Sequence, residues 1–293
     1  MGQPSNFVLT RQEAESAGVV NDPMNLVSLI DRKVSLGLAP ISGFNVGAVG
    51  LGSSGVVYLG VNIELPGLPL HHSIHAEQFL VTNLVLNSER QLTRLAVSSD
   101  GSVFDAPCGH CRQFLQEIRE APKIRILIKN PTKNKNEYVN LDSLLPRPDT
   151  NLLPEELPLL LQARHNGLAF LDPVVSAGET DLKSMALAAA NKSFAPYSMC
   201  PSGVALRGRD GKVYRGWYME SVAYNPSLGP VQAVLVDYVA NGGKEFDNIV
   251  EAVLVEKKDA MVSQEDTSRM ILEKISSRDF VFKVFHCSEL AKP

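Results

Sequence analysis

His75-Ala-Glu77, followed by Pro107-Cys108-x-x-Cys111, gathers one imidazole, two thiols and one carboxylate at two linked places in the chain. The imidazole and two thiolates make three zinc ligands, and zinc takes four, so one position is left for water. A structural site closes its shell with four protein groups; three is the count of a catalytic site. Zinc lowers the pKa of bound water to about 7, which makes hydroxide available as a nucleophile at neutral pH. Two thiolates cancel the formal charge of the metal and leave it a milder Lewis acid. Glu77 is two residues from His75 and is not a ligand. It is placed to take a proton from that water and hand it on.

Two helices must hold these groups. His75 to about Leu86 reads as a helix beginning near the ligand, where residues i and i+2 point in different directions. Ala76 is small, and its N–H at the helix start is free to bind a carbonyl or ring acceptor. Cys108 to Arg119 reads as a second helix, with Phe114, Leu115 and Ile118 on one face. Its N-terminus offers N–H groups and partial positive charge to the sulfurs. Arg112 reads equally as a further counter-charge or as a solvated helix arginine. His71, His72 and His110 are expected to be exposed bystanders, with His110 facing outward.

The wider pattern is a helix over 22–37, strands over 46–52 and 56–63, the His75 helix, a strand at 92–98, the Cys108 helix and a strand at 124–129. The same order returns as a helix at 182–190, strands at 204–207 and 213–219, a helix near 231–239, a strand at 250–255, a helix at 267–275 and a strand at 280–285. Residues repeat too. At an offset of 156, Ala39, Pro40, Ser42, Gly47, Gly55, Val57, Tyr58, Gly60 and Glu64 fall on identical residues, the last being Glu220. One residue further on, Arg112, Leu115 and Ile118 fall on Arg269, Leu272 and Ile275. Two tandem copies of one α/β fold are therefore expected. These offsets set His75 against Val231, Glu77 against Ala233, Cys108 against Glu265 and Cys111 against Ser268. The second copy thus keeps no ligand, and the chain should bind one zinc. The expected division is an N-terminal extension at 1–20, a catalytic domain at 21–145, a Pro/Leu-rich strap at 146–180 and a degenerate domain at 181–293.

The chain has 293 residues and a net charge of −4. No long run of Lys and Arg provides the footprint of a nucleic-acid binder. Four cysteines do not make a disulfide framework, and Cys200 and Cys287 read as free thiols of a reducing compartment. No apolar stretch is long enough for a membrane span, and the N-terminus does not read as a signal peptide. A cytoplasmic enzyme is expected.

His-Ala-Glu with Pro-Cys-x-x-Cys is the known signature of zinc nucleobase deaminases. Together with Ser42-Gly-Phe44-Asn-Val-Gly-Ala and Gly60-Val-Asn62-Ile-Glu64, it makes the chain resemble cytidine deaminases, in particular the two-domain homodimeric type of some bacteria and plants. The resemblance implies a mixed β-sheet sandwiched by helices, present twice, the second degenerate. It implies deamination of free cytidine and 2′-deoxycytidine, with Phe44 stacked on the pyrimidine and Asn62 and Glu64 on the ribose 3′-hydroxyl. A carboxylate there also repels a phosphate. It places the Tyr224 loop near the partner subunit's site. Glu220 repeats Glu64 with no active site beside it, so this glutamate is expected to serve the fold as well. Two rivals share part of the pattern. A deaminase of cytosine in nucleotides or nucleic acid needs the same metal site and a cationic surface to hold a strand. A structural zinc protein needs a fourth ligand, for which His71, His72 and His110 are the available residues.

Overall fold

The computed structural model describes residues 7–19, 23–30, 34–99, 104–130, 134–149, 160–170 and 181–290. By contact the chain falls into two units. The first is Met1–Leu65, Pro69–Gln162 and Ser221–Pro226; the second is Pro66–Leu68, Ala163–Glu220 and Ser227–Pro293.

The first unit runs β1 (Val8–Leu9), α1 (Arg11–Ser16), α2 (Val27–Ile30), β2 (Gly47–Gly52), β3 (Val57–Val61), α3 (Ala76–Leu86), β4 (Leu92–Ser98), α4 (Gly109–Phe114), β5 (Arg125–Asn130), β6 (Lys135–Asn140) and α5 (Leu141–Leu144). Its strands lie in the order β1-β3-β2-β4-β5-β6. Only β4 and β5 pair in parallel; the other neighbours are antiparallel. The second unit runs β7 (Leu168–Phe170), α6 (Leu182–Ala190), β8 (Ser202–Gly208), β9 (Val213–Trp217), α7 (Pro230–Ala240), β10 (Ile249–Lys257), α8 (Glu265–Ile275) and β11 (Val281–Glu289), with strand order β7-β11-β10-β8-β9. Again one pair, β10 with β11, is parallel. Each unit is thus a mixed sheet with the same hairpin, crossover and parallel pair, as expected of a tandem repeat.

Glycines let the helices close on the sheets. A Cβ on Gly216 would come within 2.1 Å of the Val234 nitrogen in α7, and one on Gly203 within 2.3 Å of the Ala190 nitrogen in α6. Gly216 pairs across the ladder with Val204, the neighbour of Gly203. Successive strand residues face opposite ways, so α6 and α7 cover opposite faces of this sheet. In the first unit Gly60 makes the matching approach, 2.2 Å from the Ala76 carbonyl in α3. Residues Ala76 to Leu84 of α3 are all buried, including Glu77 and Gln78. This helix lies inside the unit, and its polar first turn is desolvated with it.

The repeat register needs one correction. Ile63 bridges Ile74 just as Met219 bridges Leu228, and Gly60 touches Leu80 as Gly216 touches Val234. The strands keep the offset of 156, but the helices stand at 154, because the connecting loop is two residues shorter in the second copy. His75 therefore corresponds to Gly229, Ala76 to Pro230 and Glu77 to Val231, not to Val231, Gln232 and Ala233. The second copy lacks the ligand and the acid, and Pro230 removes the backbone N–H as well. At α8 the expected offset of 157 holds: Cys111, Phe114 and Leu115 are buried where Ser268, Ile271 and Leu272 are buried.

Other differences are local. The expected helix over 22–37 is a 3₁₀ turn at Pro23–Leu26, the short α2 and a second 3₁₀ turn at Val34–Leu36. Residues 20–22 and 31–33 lie outside the described residues. The Cys108 helix gives way after Phe114 to a 3₁₀ turn at Leu115–Glu117. The extension at 1–20 contributes β1, which pairs with β3. Within the strap, 150–159 and 171–180 lie outside the described residues, while Leu168–Phe170 forms β7 on the edge of β11.

Candidate active site

Two helix starts meet. His75 is the N-cap of α3 and Cys108 the N-cap of α4. One ligand atom each from His75, Cys108 and Cys111 lies within 4.8 Å of the others, the one such group among the described residues. The His75 Nδ1 is 3.5 Å from the Cys108 Sγ and 3.4 Å from the Cys111 Sγ. A tetrahedral zinc, with bonds near 2.3 Å to sulfur and 2.0–2.1 Å to nitrogen, would separate such ligands by about 3.6 Å. The three residues therefore fit one zinc ion. His71 and His72 stack on each other at 4.2 Å and are not members of the group.

Proton-sharing electrostatics follow from this crowding. A hydrogen bond from Cys111 is the largest influence on the Cys108 thiol and holds it down to about 3. Cys111, buried behind it, is pushed well up by the same bond and by burial. His75 is raised, first by its bond to Cys108. Glu77 is 5% exposed, and burial raises its carboxyl above the usual range against the hydrogen bonds from its own backbone and from Cys111. A carboxyl so placed is ready to carry a proton.

A cavity of about 230 Å³ opens beside this cluster, lined by Val46, Asn62, Glu64, Leu70, Ser73, Ile74, His75, Ala76 and Glu77. Of the residues expected to meet substrate, Asn62, Glu64 and Ala76 line it. Phe44 stands 60% exposed on the neighbouring loop. Asn62 and Glu64 also build that loop. The Asn62 amide accepts from the Val46 N–H at 2.9 Å and donates to the Phe44 carbonyl at 2.9 Å. Glu64 accepts from the Ile41 and Ser42 N–H groups at 2.8 and 2.9 Å and from the Ser42 hydroxyl at 2.5 Å. Burial pushes its carboxyl up, but these bonds together outweigh burial and hold it below the usual carboxylate range. Glu220 accepts from Tyr197 and Ser198 at the matching positions. The fold-serving role expected of this glutamate is thus visible in both copies.

The shared role predicts paired effects. Glu64→Ala removes the bonds that two loop N–H groups make to a carboxylate, roughly 1.5–3 kcal/mol for a hydrogen bond to a charged group, and should lower the melting temperature by several degrees. Glu220→Ala should lower it similarly. Thermal melts of both variants check this, and an unchanged melt for Glu64→Ala would leave that carboxylate with no part in the loop.

Two residues lie differently from expectation. His110 turns inward: its ring stacks on His75 with centroids 5.1 Å apart, and its Nε2 meets the Gln78 amide nitrogen at 3.1 Å. The ring is half-buried between the His75 ring and the Gln78 amide rather than exposed. Arg112 is half-buried and is bonded to backbone carbonyls rather than to the thiolates. Its guanidinium donates to the Pro107 carbonyl at 2.5 Å and to the Leu144 carbonyl at 3.0 Å, fixing the turn ahead of Cys108. Gln78 is a further candidate that the sequence alone gives no role. Its position, three residues past the N-cap His75, was the available signal.

A three-ligand nitrogen-sulfur cluster at two helix starts, with a buried carboxyl in the adjoining cavity wall, defines the catalytic class of zinc site. The family described as the cytidine and deoxycytidylate deaminase zinc-binding region matches residues 25–127, and a second profile with the same description matches residues 141–269. Among curated relatives, cytidine deaminase 6 of Arabidopsis thaliana is 58% identical over 98% of this chain and 99% of its own. Cytidine deaminase 1 of the same plant is 56% identical over 99% of this chain and 100% of its own. Among solved structures, a cytidine deaminase from Mycobacterium tuberculosis has 27% identity and a TM-score of 0.38, covering 44% of this chain and 97% of its own. The chain belongs to the cytidine and deoxycytidylate deaminase family, with two tandem domains of its fold.

Proposed function

We propose that this protein hydrolytically deaminates free cytidine and 2′-deoxycytidine, giving uridine or 2′-deoxyuridine and ammonia. The observation that carries this reading is Glu77, a desolvated carboxyl lining the cavity beside the His75–Cys108–Cys111 cluster. When held by those three residues, zinc supplies the Lewis acidity that makes water a nucleophile near neutral pH. Glu77 takes a proton from the attacking water, delivers it to the ring nitrogen N3, and then passes a proton to the departing amine. The C4–N bond breaks as the C4 carbonyl forms, and no redox partner is required. Ala76 offers its N–H to the pyrimidine carbonyl, Phe44 stacks on the ring, and Asn62 and Glu64 hold the ribose.

Further readings accompany this one. The catalytic domain is placed at 21–145, with an N-terminal extension at 1–20 that adds an edge strand, a strap at 146–180 and a degenerate domain at 181–293. The protein works as a homodimer, for which a zinc-free copy is a natural source of interface, and C₂ dimers are the commonest solution. Its place is the cytoplasm, in salvage of pyrimidine nucleosides. No helix among the described residues is long and apolar enough to cross a membrane.

The net charge of −4 and the carboxylate in the cavity wall both disfavour a phosphate-bearing substrate. A panel of cytidine, 2′-deoxycytidine, dCMP and a cytosine-containing oligonucleotide should give turnover on the two nucleosides, with dCMP and the oligonucleotide at least tenfold poorer in kcat/KM, about 1.4 kcal/mol. Turnover on the oligonucleotide alone would overturn the reading.

A further inference from the structure

The two ligand-bearing helices lean on one short piece of chain. The Val222 N–H donates to the Glu117 Oε1 at 2.7 Å, and the Pro226 carbonyl accepts from the Gln78 amide nitrogen at 3.1 Å. By repeat, Ser221–Pro226 is the loop of the copy without ligands; by contact, it belongs to the first unit. Glu117 is fully buried at the end of the 3₁₀ turn that continues α4, the helix begun by Cys108. Gln78 is 2% exposed in the first turn of α3, the helix begun by His75.

Gln78 uses its whole amide. Its oxygen accepts from the His75 N–H at 3.2 Å, and its nitrogen donates to both the Pro226 carbonyl and the His110 Nε2. The amide orientation is fixed by its neighbours, since a backbone N–H can only donate and a backbone carbonyl can only accept. The His110 ring, held from this amide, lies stacked against the ligand ring of His75. One six-residue segment thus ties the start of α3 to the end of the α4 turn, and it reaches a ligand through the backbone and through a stacked ring.

We propose that Gln78 and Glu117 are positioning residues for the metal site. They clamp Ser221–Pro226 behind it, and holding the first copy's ligands in register is work done by the ligand-free copy. The proposal rests on His75, Cys108 and Cys111 being the ligands. Groups that orient metal ligands are worth about 10- to 100-fold in metal affinity. The loop meets the clamp through the Val222 N–H and the Pro226 carbonyl, and the side chains that receive them are those of Glu117 and Gln78.

The test uses the full-length zinc protein, a chromophoric chelator in competition for zinc, and the visible spectrum of the Co²⁺-substituted protein. Gln78→Ala and Glu117→Ala should each weaken zinc retention about 10- to 100-fold and shift the cobalt bands. Glu117→Gln keeps an oxygen for the Val222 N–H and should lose less zinc affinity than Glu117→Ala. Gln78→Glu keeps the acceptor for His75 but loses both amide donors, and should resemble Gln78→Ala. If Glu117→Ala does not fold, the Gln78 pair decides. A lowered melting temperature with unchanged chelator competition and cobalt spectrum would overturn the proposal, because the contacts would then serve stability alone. His75→Ala is the control: retention of zinc by that variant would overturn the ligand assignment itself, whereas loss of zinc there with wild-type behaviour in Gln78→Ala overturns only the clamp.

Discussion

Glu77→Ala should keep one zinc per chain and lose about 10²- to 10⁴-fold in turnover, the usual worth of a positioned proton carrier. The two halves of that result come from separate facts. The ligand cluster consists of His75, Cys108 and Cys111, and Glu77 is not one of its members. It stands in the first turn of α3, two residues past the ligand, in the wall of the cavity that adjoins the cluster. Removing its carboxyl therefore leaves the metal shell whole and takes away the group that moves protons between water, ring nitrogen and amine. Glu77→Gln is the sharper form, because it keeps the volume of a buried side chain and avoids a cavity. It should lose turnover as deeply while melting near wild type. Zinc content by atomic absorption, kcat on cytidine and a thermal melt measure all three quantities on one preparation. Near-normal kcat in either variant would remove Glu77 from the chemistry.

This carboxyl was legible in the sequence because chemistry restricts residue types more tightly than folding does. Few arrangements other than a three-ligand zinc site need His-x-Glu followed by Cys-x-x-Cys. The repeat was legible for a steric reason. Gly60 and Gly216 stand where a helix backbone presses on the sheet, and any Cβ there would collide, so both copies kept them. The loop that follows has no such constraint. It is two residues shorter in the second copy, so the helices stand two residues off the strand register, as the bridges Ile63–Ile74 and Met219–Leu228 show. Short edge strands were also hidden. β6 reads Lys-Asn-Glu-Tyr-Val-Asn, with exposed ends and half-buried centre, and a half-solvated edge carries little hydrophobic signal. The turned-in His110 was illegible for a different reason. Its partners His75 and Gln78 are 35 and 32 residues before it, and no local pattern joins them. Glu64 was legible as a conspicuous charge, but its three hydrogen bonds from Ile41 and Ser42 are a property of the folded loop.

Cys111→Ser should release zinc altogether and abolish deamination. Cys111 is fully buried, with its sulfur 3.4 Å from the His75 Nδ1. A serine hydroxyl is a harder and far more weakly acidic donor than a thiol, so it does not replace a thiolate on zinc. The remaining pair, His75 and Cys108, falls below the three protein ligands that catalytic zinc sites use. The second copy offers no refuge, since the places of His75, Cys108 and Cys111 are taken by Gly229, Glu265 and Ser268. Stoichiometry should therefore drop from one zinc per chain to none, rather than from two to one. Stability should move with it. A ligand that binds only the folded state stabilises it by mass action, about 4 kcal/mol when its free concentration is 1,000 times the dissociation constant. Wild-type protein should melt higher with zinc than after chelation, and Cys111→Ser should melt at one temperature in both conditions. Two zinc ions per wild-type chain would overturn the reading of a single metal-bearing copy. One zinc retained by Cys111→Ser would place the metal on other ligands, and Glu77 would then no longer stand beside it.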